Sequence, residues 1–178
     1  MLHWFCYCYR SCLRLCTGRK RLFCLIFCRK PMSPITVRFD PPSHGWLTLY
    51  VGVGERTFCI DAADMPNNPV QALVDALDLA ASHKASSVWW NLEPGGYWME
   101  FVPQGERVEF RLSYAKQADA TKATTQATLQ GSRDEVILPF WRFLQAFQTA
   151  RFAEPDWPDV HFGRMTFIGE WLERTAKH

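Results

Sequence analysis

Six of the seven cysteines fall in residues 1–31, four of them in FCYCYRSCLRLC at positions 5–16. Cys8, Cys12 and Cys16 stand four apart, as do Cys24 and Cys28. On a helix each set would share one face, where thiolates can hold a soft metal, but the paired CxxC knuckles of common zinc sites are missing. Cysteines beside Arg and Lys also suit palmitoylation, with the cations meeting anionic lipid. The segment holds seven Lys or Arg and no Asp or Glu, and composition changes abruptly at Met32. It is expected to be disordered, or to lie upstream of a true start at Met32, so that its spacing needs no chemistry. The apolar run 22–28 ends in Arg29-Lys30-Pro31 with no small-residue cleavage site, so no secretory signal is read. Arginines interrupt every window of the ~20 apolar residues that a spanning helix needs. A membrane partner is expected only if these residues are translated and lipidated.

The remaining residues offer few reactive groupings. Cys59 lies between Phe58 and Ile60, where a small buried hydrophobe is the expected role, and no nucleophile signature surrounds it. His44, His83, His161 and His178 are scattered without HxxxH or HExxH spacing, and Gly52-x-Gly54 lacks the third glycine of a dinucleotide loop. Asp61 and Asp64 flank a strand-to-helix loop, while Glu93 and Glu100 flank the Pro94 turn, where antiparallel pairing would bring them close. Such carboxylates do acid–base work only if one is desolvated. The expectation is no catalytic residue, no metal and no cofactor. The alternative is a small-molecule-binding or hydrolytic domain using Asp61, Asp64 and Glu93.

The chain has 178 residues, 48% of them apolar, enough for one core without a disulfide or metal staple. Removing the basic start leaves 13 basic against 18 acidic residues in 32–178, a net charge of −5. Nucleic-acid binders concentrate cations to displace counterions from phosphates, so a nucleic-acid partner is not expected; a cationic protein is. With Cys59 as its only cysteine, this part reads as a single cytoplasmic domain over 32–178.

Periodicity supplies the elements. ITVRF at 35–39 reads as a strand stopped by Asp40-Pro41-Pro42, and WLTLYVGVGERTFCID as a hairpin turning at Gly52 to Gly54. Asn68-Pro69 opens a helix in which Val70, Leu73, Val74, Leu77, Ala80 and Ala81 share one face. SVWWNLE, YWMEFV and RVEFRLSY are strands of a meander, the last with Val108, Phe110, Leu112 and Tyr114 inward and Ser113 toward water. Residues 115–125 read as a loop; 128–130 and 135–137 are expected to extend the sheet around Gly131, with Pro139 opening a helix and a last helix over about 164–175. The fold expected is α+β: an antiparallel meander of about five to seven strands with one central and two C-terminal helices on one face.

Covering one face leaves Trp46, Tyr50, Trp89 and Trp98 on the opposite parity. The competing expectation is that the 115–125 loop or the C-terminal helices fold over them. Exposed, such rings mark an interaction surface, since Trp and Tyr dominate protein contacts. The succession HGWLTLYV, TFCIDAADMPNNPVQALVDAL, VWWNLEPGGYWMEF and SRDEVILPFWRFLQAF resembles a group of small uncharacterised bacterial α+β proteins, some similar to immunity proteins carried beside polymorphic toxins. That resemblance, over about 35–175, implies a domain that acts by binding and transfers no catalytic residue. The expected function is therefore non-enzymatic protein binding, immunity-type neutralisation of a cationic partner included, through Trp46, Tyr50, Trp89 and Trp98 with Glu93 and Glu100 as acidic neighbours.

Overall fold

Alternation along seven strands decides which side of the sheet must be covered. A computed structural model describes residues 34–175, so the expectations for 1–31 and His178 lie outside the described residues. Strands β1 (Ile35–Phe39), β2 (Trp46–Val53), β3 (Arg56–Ala63), β4 (Ser86–Asn91), β5 (Gly96–Gln104), β6 (Arg107–Ala115) and β7 (Thr124–Ser132) pair antiparallel in chain order. Leu47, Leu49 and Val51 of β2 align with Ala62, Ile60 and Phe58 of β3; Met99 and Phe101 of β5 align with Leu112 and Phe110 of β6. These side chains are buried on one common side. The expected α+β meander, with one central helix and a C-terminal pair, is the observed architecture.

The central helix α1 (Pro69–Ala81) forms where the sequence says it should. Asn68 Oδ1 accepts from Val70 N at 3.0 Å and Gln71 N at 3.3 Å, satisfying donors that the first turn leaves open, a cap worth about 1 kcal/mol. Its apolar stripe is buried against β4 and β5. Helix α2 (Arg133–Ala150) packs on β1, β6 and β7, and α3 (Met165–Thr175) rests on α1 and α2 with Met165, Ile168, Trp171 and Leu172 buried. The segment between α2 and α3 is pinned by the buried Trp157, by Gly45 N donating to Asp156 O at 3.0 Å and by His161 N donating to Gln71 Oε1 at 2.7 Å.

Around Gly131 the structure departs from the expectation. Residues 128–130 belong to β7, but 135–137 are helical, and Pro139 is the seventh residue of α2 and not its start. A capping box decides this: Ser132 Oγ accepts from Glu135 N at 3.3 Å while Glu135 Oε2 accepts from Ser132 N at 2.8 Å. Val136, Ile137, Phe140, Phe143, Leu144 and Phe147 then form one buried face that outweighs the backbone donor Pro139 lacks. The 115–125 stretch is also more ordered than a plain loop, with a single 3-10 turn at Ala120–Lys122 and β7 beginning at Thr124.

The sheet is two halves joined at one place. Among the described residues β3 and β4 align at a single register position, Ala63 opposite Asn91. Beyond it the first half folds across the inner side of the second: Phe58 of β3 meets Tyr97 of β5 at 6.4 Å, and the Arg56 guanidinium donates to Gln126 O of β7. Helix α2 fills the space farther along, where Phe140 stands 5.1 Å from Phe101 and 5.2 Å from Phe110, and where Phe143 meets Phe39 of β1 at 5.2 Å. Because Phe140 is wholly buried in that aromatic group, Phe140→Ala is expected to cost about 3–5 kcal/mol, whereas Ser132→Ala, removing only a cap, costs about 1 kcal/mol. Denaturant unfolding with an unchanged m-value checks both.

Candidate functional site

The three helices lie on the inner side, so the opposite side of the strands is the candidate site. One row crosses it at the junction: Trp46, Ala63, Asn91, Gly96 and Ala115 stand opposite one another from β2 to β6. Trp46 at the start of that row is 39% exposed. In the next row on that side Trp89 of β4 faces Trp98 of β5, with ring centroids 5.1 Å apart and planes tilted by 43°. The pair leans back over Gly96: a methyl group there would come within 2.6 Å of Trp89 Cζ2 and 2.2 Å of Trp90 O. Only glycine leaves room for the Trp89 indole at that point, and both rings end half-buried. Trp46, Trp89 and Trp98 therefore stand on the uncovered side, as their parity implies.

Tyr50 is on the same side but is held elsewhere on it. It lies opposite Cys59, two rows from Trp46, and its hydroxyl donates to Asp40 Oδ2 at 2.9 Å. That hydrogen bond, and then the Asp40 charge, raise the phenol pKa above its ordinary value of 10.0. Cys59 is exposed on this face, which corrects the expectation of burial: it shares parity with Thr57 and Asp61, while Phe58 and Ile60 point inward.

The acidic neighbours are less available than expected. Glu100 is bound at 3.5 Å by Arg111 of the adjacent strand, which also holds Glu109 at 2.6 Å, so three charges collapse to a net −1. The two-residue turn after Gln104 dictates that pairing, since Gln104 opposite Arg107 places Glu100 opposite Arg111. Glu93 is not near Glu100: it sits in the β4–β5 turn and accepts from Asn91 Nδ2 at 3.4 Å, while Glu100 is four residues along β5 from Gly96, about 13 Å at strand rise. Ser113, expected to face water, is only 2% exposed, between Trp98 on β5 and Thr125 on β7.

Asp61, Asp64 and Glu93 do not converge. Asp61 Oδ1 accepts from Thr48 Oγ1 at 3.0 Å on the outer face, Asp64 lies against Gly45 past the strand end, and Glu93 is held in its turn. None lines the clefts of about 370 Å³, at the end of β6, or about 220 Å³, beside the end of α2. Among the described residues no three His, Cys, Asp or Glu side chains group closely enough to hold a metal ion, and no helix is long and apolar enough to cross a membrane. No family model matches the chain, and neither curated proteins nor solved structures give a match.

Two measurements test this geometry. Gly96→Ala should overpack the Trp89 contact, lowering stability by about 1–3 kcal/mol and weakening the near-ultraviolet dichroism of the coupled indoles. The Tyr50 hydroxyl bond has its own pH signature: a raised folded pKa means its contribution is complete below about pH 10 and is lost as the phenolate forms above it. Phenolate absorbance should show one late-titrating tyrosine fewer in Tyr50→Phe, and earlier ionisation of Tyr50 in Asp40→Asn.

Proposed function

We propose that the chain is a non-enzymatic binding protein that engages another protein through the uncovered sheet face. The observation carrying this reading is the ring set on that face: Trp46 exposed on β2, Trp89 and Trp98 packed together on β4 and β5, no helix above them. Tryptophan supplies large contact area, and rings already held by a stack lose little freedom when a partner docks. Tyr50 and its bound Asp40 extend the face along β2, and Glu93 in the β4–β5 turn makes no ion pair with any described residue.

Charge favours a cationic partner at long range. The −5 of residues 32–178 attracts basic surfaces and repels phosphate backbones, while the Glu100–Arg111–Glu109 group adds a local −1. Charge then accelerates encounter, and aromatic burial sets how long the complex lasts. An immunity-type role, the neutralising of a cationic toxin in the cytoplasm, is the version of this reading that the resemblance to bacterial immunity proteins implies. The hydrolytic alternative draws no support from the separated positions of Asp61, Asp64 and Glu93.

The test is affinity capture from the native host on the immobilised 178-residue chain and its variants. A basic protein should be retained by the wild type, released by salt, and retained at least tenfold less by Trp46→Ala and Trp89→Ala. Trp46→Ala should leave the thermal midpoint nearly unchanged, because its ring is exposed; Trp89→Ala also loses a stack worth about 0.5–1.5 kcal/mol. Equal retention by both variants would sink the aromatic face as the binding surface.

A further inference from the structure

A cleft of about 370 Å³ opens where β6 ends and β7 begins, at the lower end of the ~300–1,000 Å³ typical of ligand pockets. It is lined by Tyr114, Ala115, Lys116, Gln117, Lys122 and Thr124. Two lysines and no carboxylate in the lining stand out against a −5 body. Asp119 holds Lys122 at 3.1 Å and accepts from Thr121 N at 3.0 Å, which fixes the 3-10 turn that carries this lysine. Lys116 makes no ion pair with any described residue, so its charge is free for a ligand.

The other wall is aromatic and braced. The Tyr114 ring meets Tyr97 edge-on at 5.4 Å, and Tyr97 in turn meets Phe58 of the folded-back half. Glycine at position 95, with φ +83°, leaves room for the Tyr114 hydroxyl, which a methyl group there would meet at 2.7 Å. Two residues past Thr124, Gln126 O receives the Arg56 guanidinium, so the cleft lies beside the mouth where the two half-sheets close on each other. An anionic head group is met by the lysines and the Gln117 carboxamide, and a flat apolar body by Tyr114.

We propose that this cleft is a binding site for a small organic anion, a carboxylate or phosphate borne on an aromatic or apolar body. The probes are phenyl phosphate and benzoate, with phenol and inorganic phosphate as half-ligands, titrated into the full chain while amide resonances are followed. Saturable shifts at Lys116, Gln117, Lys122 and Thr124 are expected with phenyl phosphate or benzoate, the tighter of the two naming the head group. Phenol and inorganic phosphate should each bind at least fivefold more weakly than the probe that contains them both, and Lys116→Gln should weaken that probe at least fivefold. Lys122→Gln serves as the second variant, with Lys116→Gln independent of the turn that Asp119 fixes. Absence of saturable shifts, equal affinity in both variants, or equal binding of inorganic phosphate alone would overturn the proposal.

Discussion

The single register position joining β3 to β4 constrains everything else in this fold. With Ala63 opposite Asn91 and no further pairing, the first three strands are free to turn across the inner side of the last four. The junction is reinforced from the side chains: Asn91 Nδ2 donates to Met65 O at 2.9 Å and to Glu93 Oε1 at 3.4 Å, tying the start of the α1 connection to the β4–β5 turn. Small residues flank it, Ala63 on one side and Gly96 on the other, so the strands approach closely where they must. Because the halves meet along Phe58–Tyr97 and Arg56–Gln126, the rest of the interior opens into a space that helices fill. The Phe101, Phe110 and Phe140 group and the Phe39, Phe143 and Phe147 group occupy it.

How much of this is legible in the sequence depends on range. Period-two alternation in WLTLYV, SVWW and RVEFRL, and the Asn68-Pro69 start of α1, are local signals, and the corresponding elements form where those signals lie. Parity alone also places Trp46, Trp89 and Trp98 on the side away from the helices. Reading fails where two local signals compete: Pro139 looks like a helix start, yet the Ser132–Glu135 capping box begins the helix six residues earlier. It fails again at Cys59, where residue type outweighed parity. The fold-back of Arg56 onto Gln126 joins residues 70 apart in the chain, and no window of sequence carries that contact.

The charge distribution follows the same division between local and distant. Arg111 sits between two carboxylates because hairpin register puts it there, and in doing so it removes most of the acidity expected beside Trp98. The outer strand positions balance Asp61, Glu100 and Glu109 against Arg38, Arg107 and Arg111, and Asp40 beside Tyr50 with Glu93 in the β4–β5 turn makes the face only mildly acidic. A mildly acidic aromatic face would discriminate by shape and area more than by charge.

Stacking large rings on an uncovered sheet face carries a hazard of promiscuous association, and the local packing limits it. Trp89 packs over Gly96 and against Trp98 at a 43° tilt, and both indoles end half-buried. Trp98 also shields Ser113, whose hydroxyl stands 3.4 Å from Thr125 Oγ1, so the stack seals polar groups of the sheet as well as presenting apolar ones. Only Trp46 protrudes at the junction row, one strand outside Ala63. Under the proposed binding role, a partner would have to accept one exposed indole on β2 and a half-buried indole pair on β4 and β5. Such an uneven arrangement would orient a docking partner more than a flat apolar patch of equal area.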